Sequence, residues 1–451
     1  MLPTISPSKA LPRQSVRPVE VWAWAMYDFA NSGYTTVVIT ALFSAYFVGV
    51  VAEGAAWATL AWTSALAVSY GLIVLSAPVV GAIADAYAWK KRLLALATGG
   101  CVATTAALYF AVPGAIAVAA TMVIASNFFY GMGQNLIAAF LPELAGSRSM
   151  GRVSGWGWSF GYFGGLTSLA ACLAWISHAK AQGATAAEFV PVCMLITAVL
   201  FAVAAVPTFV FLGERTPPQG GDPAHVAASA WARLRVSFKH ARRFRDLSRF
   251  LVCTVFYQAG IQAVIALAAI YAQEAMLFST QETLLLILVV NLTASVGAFA
   301  FGYLQDRIGH ISSIVLTMLG WIMMVVIAWR AQDSTMFWVA ANIAGVCMGA
   351  SQSASRAVVG LLAPPSRVAE FFGLWGLATN LASIIGPLTY GAITCITAGD
   401  HRTAFLCTGC YFLMALGLVF GVRIGRGRRA ALRAEREDRR AIPRLAPFRP
   451  E

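Results

Sequence analysis

The chain has 451 residues, of which 59% are hydrophobic and only 11% are charged. A soluble domain carries about twice that share of charged residues, so the composition excludes an ordinary soluble protein and indicates a protein of the lipid bilayer. The formal net charge is +13, which we attribute to membrane topology and not to a nucleic-acid partner.

Apolar segments dominate the chain after a more polar N-terminal stretch. The first apolar run is too long for a secretory signal and carries Asp28 and Asn31, so we expect it to remain as a membrane span. Twelve segments are long enough to cross a bilayer as helices. They lie near 22–51, 58–84, 93–112, 114–141, 153–177, 189–212, 247–272, 283–304, 311–329, 335–362, 371–397 and 403–424. The sequence therefore predicts an all-α integral membrane protein with twelve transmembrane helices.

The basic residues predict the orientation of these spans. With the N-terminus inside the cell, 28 of the 32 Lys and Arg residues fall on the inner side. The outer loops keep only Lys180, Arg330 and Arg402. Such a bias toward the cytoplasmic side is typical of membrane proteins, and anionic lipids of the inner leaflet attract it further. We therefore expect both termini in the cytoplasm.

A short motif occurs twice, each time after the second span of a half. The copies read Gly81-Ala-Ile-Ala-Asp85 and Gly302-Tyr-Leu-Gln-Asp306-Arg307-Ile-Gly309. A six-span unit used twice is typical of transporters, and we expect these loops to form an inner gate. Glycine lets two helices approach closely, and the carboxylate can face a helix N-terminus across the loop.

The repeat divides the chain into five parts. They are a cytoplasmic N-terminal segment (1–21), two six-helix bundles (22–212 and 247–424), a cytoplasmic linker (213–246) and a basic cytoplasmic tail (425–451). In the linker, apolar residues recur at helical spacing between basic ones. This pattern predicts an amphipathic helix on the inner membrane surface, with apolar positions Trp231, Leu234, Phe238, Ala241 and Phe244.

Polar side chains inside the spans are the candidate functional residues. They concentrate on the first and fourth spans of each half, which predicts a water-filled cavity near the membrane midplane. The candidates are Asp28, Asn31 and Thr35; Asn127, Tyr130, Gln134 and Asn135; Thr254, Gln258 and Gln262; Asn342, Gly345, Gly349, Gln352 and Arg356; and Asn380 on span 11. The alternative is that the amides only bond to neighbouring helices.

Two charges within the spans require a particular reason, because a charge in lipid costs about 2.5–3.5 kcal/mol. Arg356 lies about two turns before Pro364, too deep to reach water without a cavity. We interpret it as an anion site or as one side of a salt-bridge gate. Asp28 lies nearer the inner boundary, where gating, helix locking and binding of a proton or substrate all stay open.

Other functional classes find little support in the residues. Cys407 and Cys410 form a single CxxC pair, which we interpret as apolar packing within a span, so no metal or cofactor is expected. Without a nucleophile–base pair or a phosphate-binding loop, the sequence argues against an enzyme and against direct use of ATP. A receptor or scaffold that does not transport remains an alternative.

The motifs resemble those of the major facilitator superfamily. More narrowly, Trp24-Ala-Met-Tyr27-Asp28-Phe-Ala-Asn31-Ser32-Gly-Tyr34 is similar to the opening signature of the vacuole-effluxer-type branch, whose fungal members export amino acids from vacuoles. Leu141-Pro142-Glu143, Gly151-Arg152-Val-Ser154-Gly155, the segment from Gly349 to Arg356, Glu370-Phe371-Phe372-Gly373 and Gly386-Pro387 match the same branch. Departures are Ala86 and Ala88, where the superfamily usually has a basic residue and a glycine, and Asn380, where this branch would have lysine.

The resemblance implies two pseudo-symmetric six-helix bundles and alternating access. We expect a monomeric secondary transporter of a small solute in a bacterial inner membrane. Amino-acid efflux is the first hypothesis, with Arg356 binding a carboxylate and Asp28 or aromatic faces binding an ammonium. A permease for a sugar, a carboxylate, a peptide or a drug is the alternative, and proton coupling stays open.

Overall fold

The computed structural model describes residues 16–144, 150–215, 244–363 and 368–441, which contain helices and no strand. Twelve helical segments in these ranges are long and apolar enough to cross a membrane. We number the main helix of each span α1 to α12. The bounds are Pro18–Tyr34, Ala58–Tyr87, Lys90–Ala107, Ile116–Ala138, Met150–Ala181, Ala186–Phe211, Arg245–Ile270, Thr280–Ile308, His310–Arg330, Ser334–Leu362, Val368–Ile396 and His401–Val419. The predicted all-α fold with twelve spans is confirmed.

The first span of each half ends in a wider helical turn. A π-helix at Thr35–Ala41, a short α-helix at Phe43–Tyr46 and a second π-helix at Phe47–Val51 continue α1. The helix α7 continues into a π-helix at Tyr271–Ala275. π-Helical turns often occur at functional sites, and here they occur at the same place in both halves.

The two halves repeat individual contacts as well as helices. Tyr46 donates a hydrogen bond of 2.9 Å to the carbonyl of Ala111, and Tyr271 donates one of 2.9 Å to the carbonyl of Ala328. Each bond joins the end of the first span of a half to the chain at the end of its third span. The duplication predicted from the short motifs is therefore visible in the packing.

Glycines allow two spans to touch in each half. A side chain at Gly164 would clash with the backbone of Phe29, and one at Gly386 would clash with the backbone of Ala259. The first pair joins α5 to α1 and the second joins α11 to α7. Only glycine permits such a close approach of two helices.

The two halves contact each other at one end of the bundle. We call the end where α1, α3 and α7 begin the tail side, and the opposite end the far side. At the far side Gln281 of α8 donates to Ser177 of α5 over 3.4 Å, and Gly391 of α11 packs against Thr63 of α2. The two halves therefore meet at the far side.

Large apolar side chains point outward from the bundle. Leu75, Phe163, Val203 and Phe299 are each more than half exposed. In water such a surface would be unstable, whereas in a membrane these side chains contact lipid. The protein is a multi-pass membrane protein.

Two predictions concern segments at the tail side, the linker between the halves and the residues after span 12. The predicted linker helix falls largely on 216–243, which lies outside the described residues. The residues after span 12, predicted as a solvated tail, form a helix, α13, at Ile424–Ala441. The sequence predicted only the charge of this segment and not its helix, because its apolar positions are mostly alanine and glycine and give a weak hydrophobic pattern.

Candidate functional site

An aromatic and hydroxyl cluster joins α1 to α4 in the middle of the first half. Tyr34 stacks on Tyr130 with ring centroids 4.9 Å apart, and its hydroxyl is hydrogen-bonded to Ser126 over 2.8 Å. Gln134 donates to the hydroxyl of Tyr130 over 3.1 Å. Thr35 donates to the backbone carbonyl of Asn31 and lies beside Tyr130. The structure thus brings three of the candidate side chains together, those of Thr35, Tyr130 and Gln134.

A second polar group connects this cluster to the other half. Asn127 of α4 is fully buried and donates to Ser69 of α2 over 3.0 Å. The neighbouring Tyr70 interacts with the side chains of Asn127 and of Ser383 on α11. Polar contacts therefore cross from one half to the other between α2 and α11.

Asn31 differs from the other amides of the first half. Its side chain is 1% exposed, and neither its amide nitrogen nor its oxygen has a hydrogen-bond partner within the described ranges. A buried polar group without a partner costs about 1–3 kcal/mol, so most proteins avoid one. A bound water or ion, stored strain or a functional role are the reasons for which such a group is kept.

The second half has a comparable polar centre. Gln258 of α7 is fully buried and donates to Gln352 of α10 over 3.1 Å, while its own oxygen has no partner in the described part of the chain. Tyr257, which is next to Gln258, and Trp375 of α11 both donate to the hydroxyl of Ser355 on α10. These bonds join α7, α10 and α11.

The in-span charges have different surroundings. Asp28 is half-buried, and one oxygen of its carboxylate lies directly against Gly157 of α5. The side chain of Arg356 lies outside the described part of the structure, although its backbone is within α10. Its place in the register is fixed by its neighbour Ser355, which faces α7 and α11.

The remaining candidates are less central. Gly345 and Gly349 pack closely against the backbone of α8, and Asn342 donates to the carbonyl of Trp338 in its own helix. This stripe of α10 is therefore a helix contact over much of its length. Thr254 also bonds within its own helix, to the carbonyl of Phe250. Gln262 of α7 and Asn380 of α11 are half-buried.

The predicted gate motifs lie at the tail side. Gly81 and the exposed Asn135 line a small cavity of about 60 Å³, together with Lys90. Arg307 is exposed, and Gly309 has a φ of 90°, which favours glycine. The side chains of Asp85 and Asp306, and the surroundings of Gly302, lie outside the described part of the structure.

Ion pairs at the tail side were missed by the sequence analysis. Arg215, which follows α6, binds the carboxylate of Glu20 over 2.6 Å. Arg426 of α13 binds both oxygens of Asp246 over 2.6 and 2.7 Å. The available signal was that Glu20 and Asp246 are each the single carboxylate in the first turn of the first span of a half.

A third ion pair stabilises the tail side of the first half. Lys90 binds Glu143 over 2.9 Å, and both side chains are almost buried. A second oxygen of Glu143 accepts the backbone N–H of Arg215, and Glu214 accepts the backbone N–H groups of Lys90 and Lys91. A carboxylate at a helix N-terminus is favourable, because it faces the positive end of the helix dipole.

The site therefore offers hydrogen-bonding groups rather than catalytic ones. Amides, tyrosines and hydroxyls occupy the centre, and the described residues contain no group of three His, Cys, Asp or Glu side chains that could hold a metal. Such an arrangement can bind and orient a small polar solute inside a membrane.

Comparisons with known proteins agree with this geometry. A family model described as "Vacuole effluxer Atg22 like" matches residues 46–432. The chain is similar to an uncharacterized MFS-type transporter, YxiO, of Bacillus subtilis, with 26% identity over 88% of this chain and 92% of that protein. It is also similar to Autophagy-related protein 22 of Cryptococcus neoformans, with 26% identity over 66% of this chain and 54% of that protein. The chain thus spans about half the length of the latter relative.

Solved structures with the same fold are transporters. The nucleoside transporter NupG superimposes with a TM-score of 0.63 at 13% identity, over 90% of this chain and 99% of that one. The human organic anion transporter MFSD10 superimposes with a TM-score of 0.64 at 14% identity, over 90% and 100% of the two chains. At this identity the likeness concerns the fold alone.

Proposed function

The chain belongs to the vacuole effluxer Atg22 like family, and we propose that its cargo is a small zwitterion of the amino-acid class. It is a secondary transporter of the major facilitator fold, and its relatives are transporters rather than enzymes. Family membership alone says little about the solute. The proposal about cargo therefore rests on the polar centre.

One observation carries the proposal: the unpartnered amide atoms of Asn31 and Gln258. Both side chains are buried within membrane spans, and together they leave one donor and two acceptors without a partner in the described ranges. They lie at similar depths in the first span of each half, since Asn31 follows Glu20 by 11 residues and Gln258 follows Asp246 by 12. A bound solute that completes these hydrogen bonds would remove the cost of leaving them unpaired.

The unpartnered atoms suit a solute that both donates and accepts hydrogen bonds. An ammonium group donates three hydrogen bonds, which the oxygens of Asn31 and Gln258 can accept. A carboxylate accepts bonds from the amide nitrogen of Asn31. We assign Arg356 as the main partner of the carboxylate, because an arginine binds a carboxylate with two parallel hydrogen bonds. The rings of Tyr34 and Tyr130, or the carboxylate of Asp28, would favour the ammonium further.

The same arrangement suggests how transport proceeds. Asn31 lies on α1 and Gln258 on α7, and the π-helical continuation of α1 packs against α7. Rocking of the halves about the solute would expose it to each side in turn. We propose that the protein is a monomer in a bacterial plasma membrane. We also propose that both termini lie in the cytoplasm, which the distribution of Lys and Arg favours. We assign any proton coupling to Asp28.

The test is flux by the purified full-length protein in proteoliposomes. Labelled neutral, basic and acidic amino acids are offered in turn, with analogues lacking the carboxylate or the ammonium group as competitors. We expect one amino-acid group to be carried and each analogue to compete at least roughly tenfold less well, because a site built for both groups rejects a solute that lacks one. Transport of a sugar or nucleoside instead, or equal competition by the analogues, would overturn the assignment.

A further inference from the structure

The tail helix α13 is fixed to the end of the second half. Arg426 binds Asp246 at the start of α7 with two hydrogen bonds, and the backbone N–H of Arg423 donates to the same carboxylate over 2.9 Å. Leu362, the last residue of α10, packs against Gly427. The helix is thereby held at the level where the spans end.

The two faces of α13 differ in composition. Gly427 and Ala431 are buried, and Ile424, Ala430 and Ala434 pack against the core. The opposite face, which we call the arginine face, consists of exposed residues that fall on one side at 100° per residue. Its members are Arg428, Arg429, Leu432, Arg433 and Arg436.

Among the side chains that the structure describes, no carboxylate contacts the arginine face; the side chains of the acidic residues of α13, Glu435, Glu437 and Asp438, lie outside that part. The described salt bridge of α13 joins Arg426, which is not part of the arginine face, to Asp246. Yet four arginines on one face repel each other where they lie in neighbouring turns. A surface that keeps such a cost is complementary to a negatively charged partner.

We propose that the arginine face of α13 binds the headgroups of anionic phospholipids. Only 419–424 separates the end of α12 from the start of α13, so the helix cannot leave the membrane surface by more than about 18 Å even if this connection is fully extended. Leu432, exposed among the arginines, matches the apolar contact that helices on a membrane surface make below the headgroups. An acidic soluble protein would match the charge but not this leucine.

The binding surface is distinct from the polar centre of the spans. Binding at the arginine face should recruit anionic lipid next to α7 and α10. The helix α13 contacts α7 through Asp246 and α10 through Leu362. Each arginine near an anionic surface strengthens binding about fivefold, as expected for about 1 kcal/mol per basic residue.

The experiment uses the full-length protein in detergent micelles with added phosphatidylglycerol or phosphatidylcholine, and native mass spectrometry counts the bound lipids. The variant Arg428→Gln/Arg433→Gln removes two arginines of the face and leaves Arg426 in place. The matched control Lys180→Gln/Arg330→Gln removes two positive charges at the far side, away from α13. Soluble glycerol phosphate and polyglutamate, each in excess, serve as competitors. Size-exclusion chromatography and the thermal midpoint check that each variant is folded.

We expect the unmodified protein to prefer phosphatidylglycerol and the face variant to bind it about 25-fold more weakly, with the control unchanged. The preference should also weaken in high salt, which screens exposed charges. Equal loss in both variants, or no loss in the face variant, would overturn the proposal. So would displacement of the lipid by millimolar glycerol phosphate, which indicates a site for free phosphate. Stronger retention of polyglutamate than of phosphatidylglycerol indicates an acidic protein partner and likewise overturns it.

Discussion

Glu20 and Asp246 occupy equivalent positions in the two halves, and each is held by an arginine that follows the sixth span of its half. The ion pairs with Arg215 and Arg426 both measure 2.6 Å, and both carboxylates are nearly buried. Each pair connects the start of the first span to the chain beyond the sixth, so it closes the ring of helices at the tail side. A transporter whose halves move as rigid bodies needs such closure within each half.

The first prediction concerns the stability of the first half. Glu20→Gln removes a charge that binds Arg215 and leaves the arginine, which is only partly exposed, without its main partner. Because hydrogen bonds to charged groups contribute about 1.5–3 kcal/mol, we expect a loss of about 2 kcal/mol and a lower thermal midpoint. The matched control is Glu53→Gln, the same change at an exposed residue in the turn that follows this span. Equal midpoints for the two variants would show that the ion pair contributes nothing.

The second prediction concerns the docking of α13. Asp246→Asn removes the carboxylate that binds Arg426, so the helix should open more often and trypsin should cut it faster at its arginines. If the pair contributes about 2 kcal/mol, the open population rises roughly 30-fold, and cleavage follows that population when opening is fast. Mass spectrometry locates the cuts over time. Asp333→Asn, at an exposed cap on the far side, should leave the rate unchanged, whereas acceleration by both changes would mean general destabilisation.

A third prediction uses the difference between the two gate loops. Ala88 and Gly309 end the second span of each half, and both have positive φ, 53° and 90°. The left-handed conformation costs an alanine about 1–2 kcal/mol, while glycine loses about 0.4–1 kcal/mol more in chain entropy on folding. Ala88→Gly should therefore raise the free energy of unfolding by up to about 1.6 kcal/mol, the largest difference between these two ranges.

The control for this prediction lies two residues earlier. Ala86 is within α2, where glycine is unfavourable by about 0.5–1 kcal/mol, so Ala86→Gly should lower the thermal midpoint while Ala88→Gly raises it. Shifts in the same direction for both variants would mean that the conformation of Ala88 carries no strain.

The twelve spans and the duplication could be predicted from the sequence because length and apolarity of a span are local properties. The ion pairs could not, since Glu20 and Arg215 are 195 residues apart and Arg215 is one of many basic residues near the linker. Helical spacing placed Gly345 and Gly349 on one stripe with Gln352, yet it could not show that the glycines contact α8 while the glutamine contacts α7. Spacing shows which residues share a face, whereas the neighbours depend on tertiary packing.

The last prediction separates a binding role for Asn31 from a structural one. Asn31→Leu keeps the branched shape and the number of heavy atoms of the side chain and removes two polar atoms that have no partner in the described part of the chain. Because no protein hydrogen bond is lost, the thermal midpoint should stay equal or rise. Transport should instead weaken by roughly tenfold or more in apparent affinity, since a bond to a charged solute contributes about 1.5–3 kcal/mol.

Asn291→Leu provides the comparison for Asn31→Leu, because the amide of Asn291 donates to the carbonyl of Ile287 in its own helix over 2.9 Å. We expect it to leave the concentration dependence of flux unchanged. Proteoliposome flux and thermal unfolding, measured on the same preparations, give both quantities for each variant. A stable Asn31→Leu protein with normal flux would remove Asn31 from the site. A protein that loses both stability and flux would show that this amide supports the fold, through a contact beyond those described, rather than the cargo.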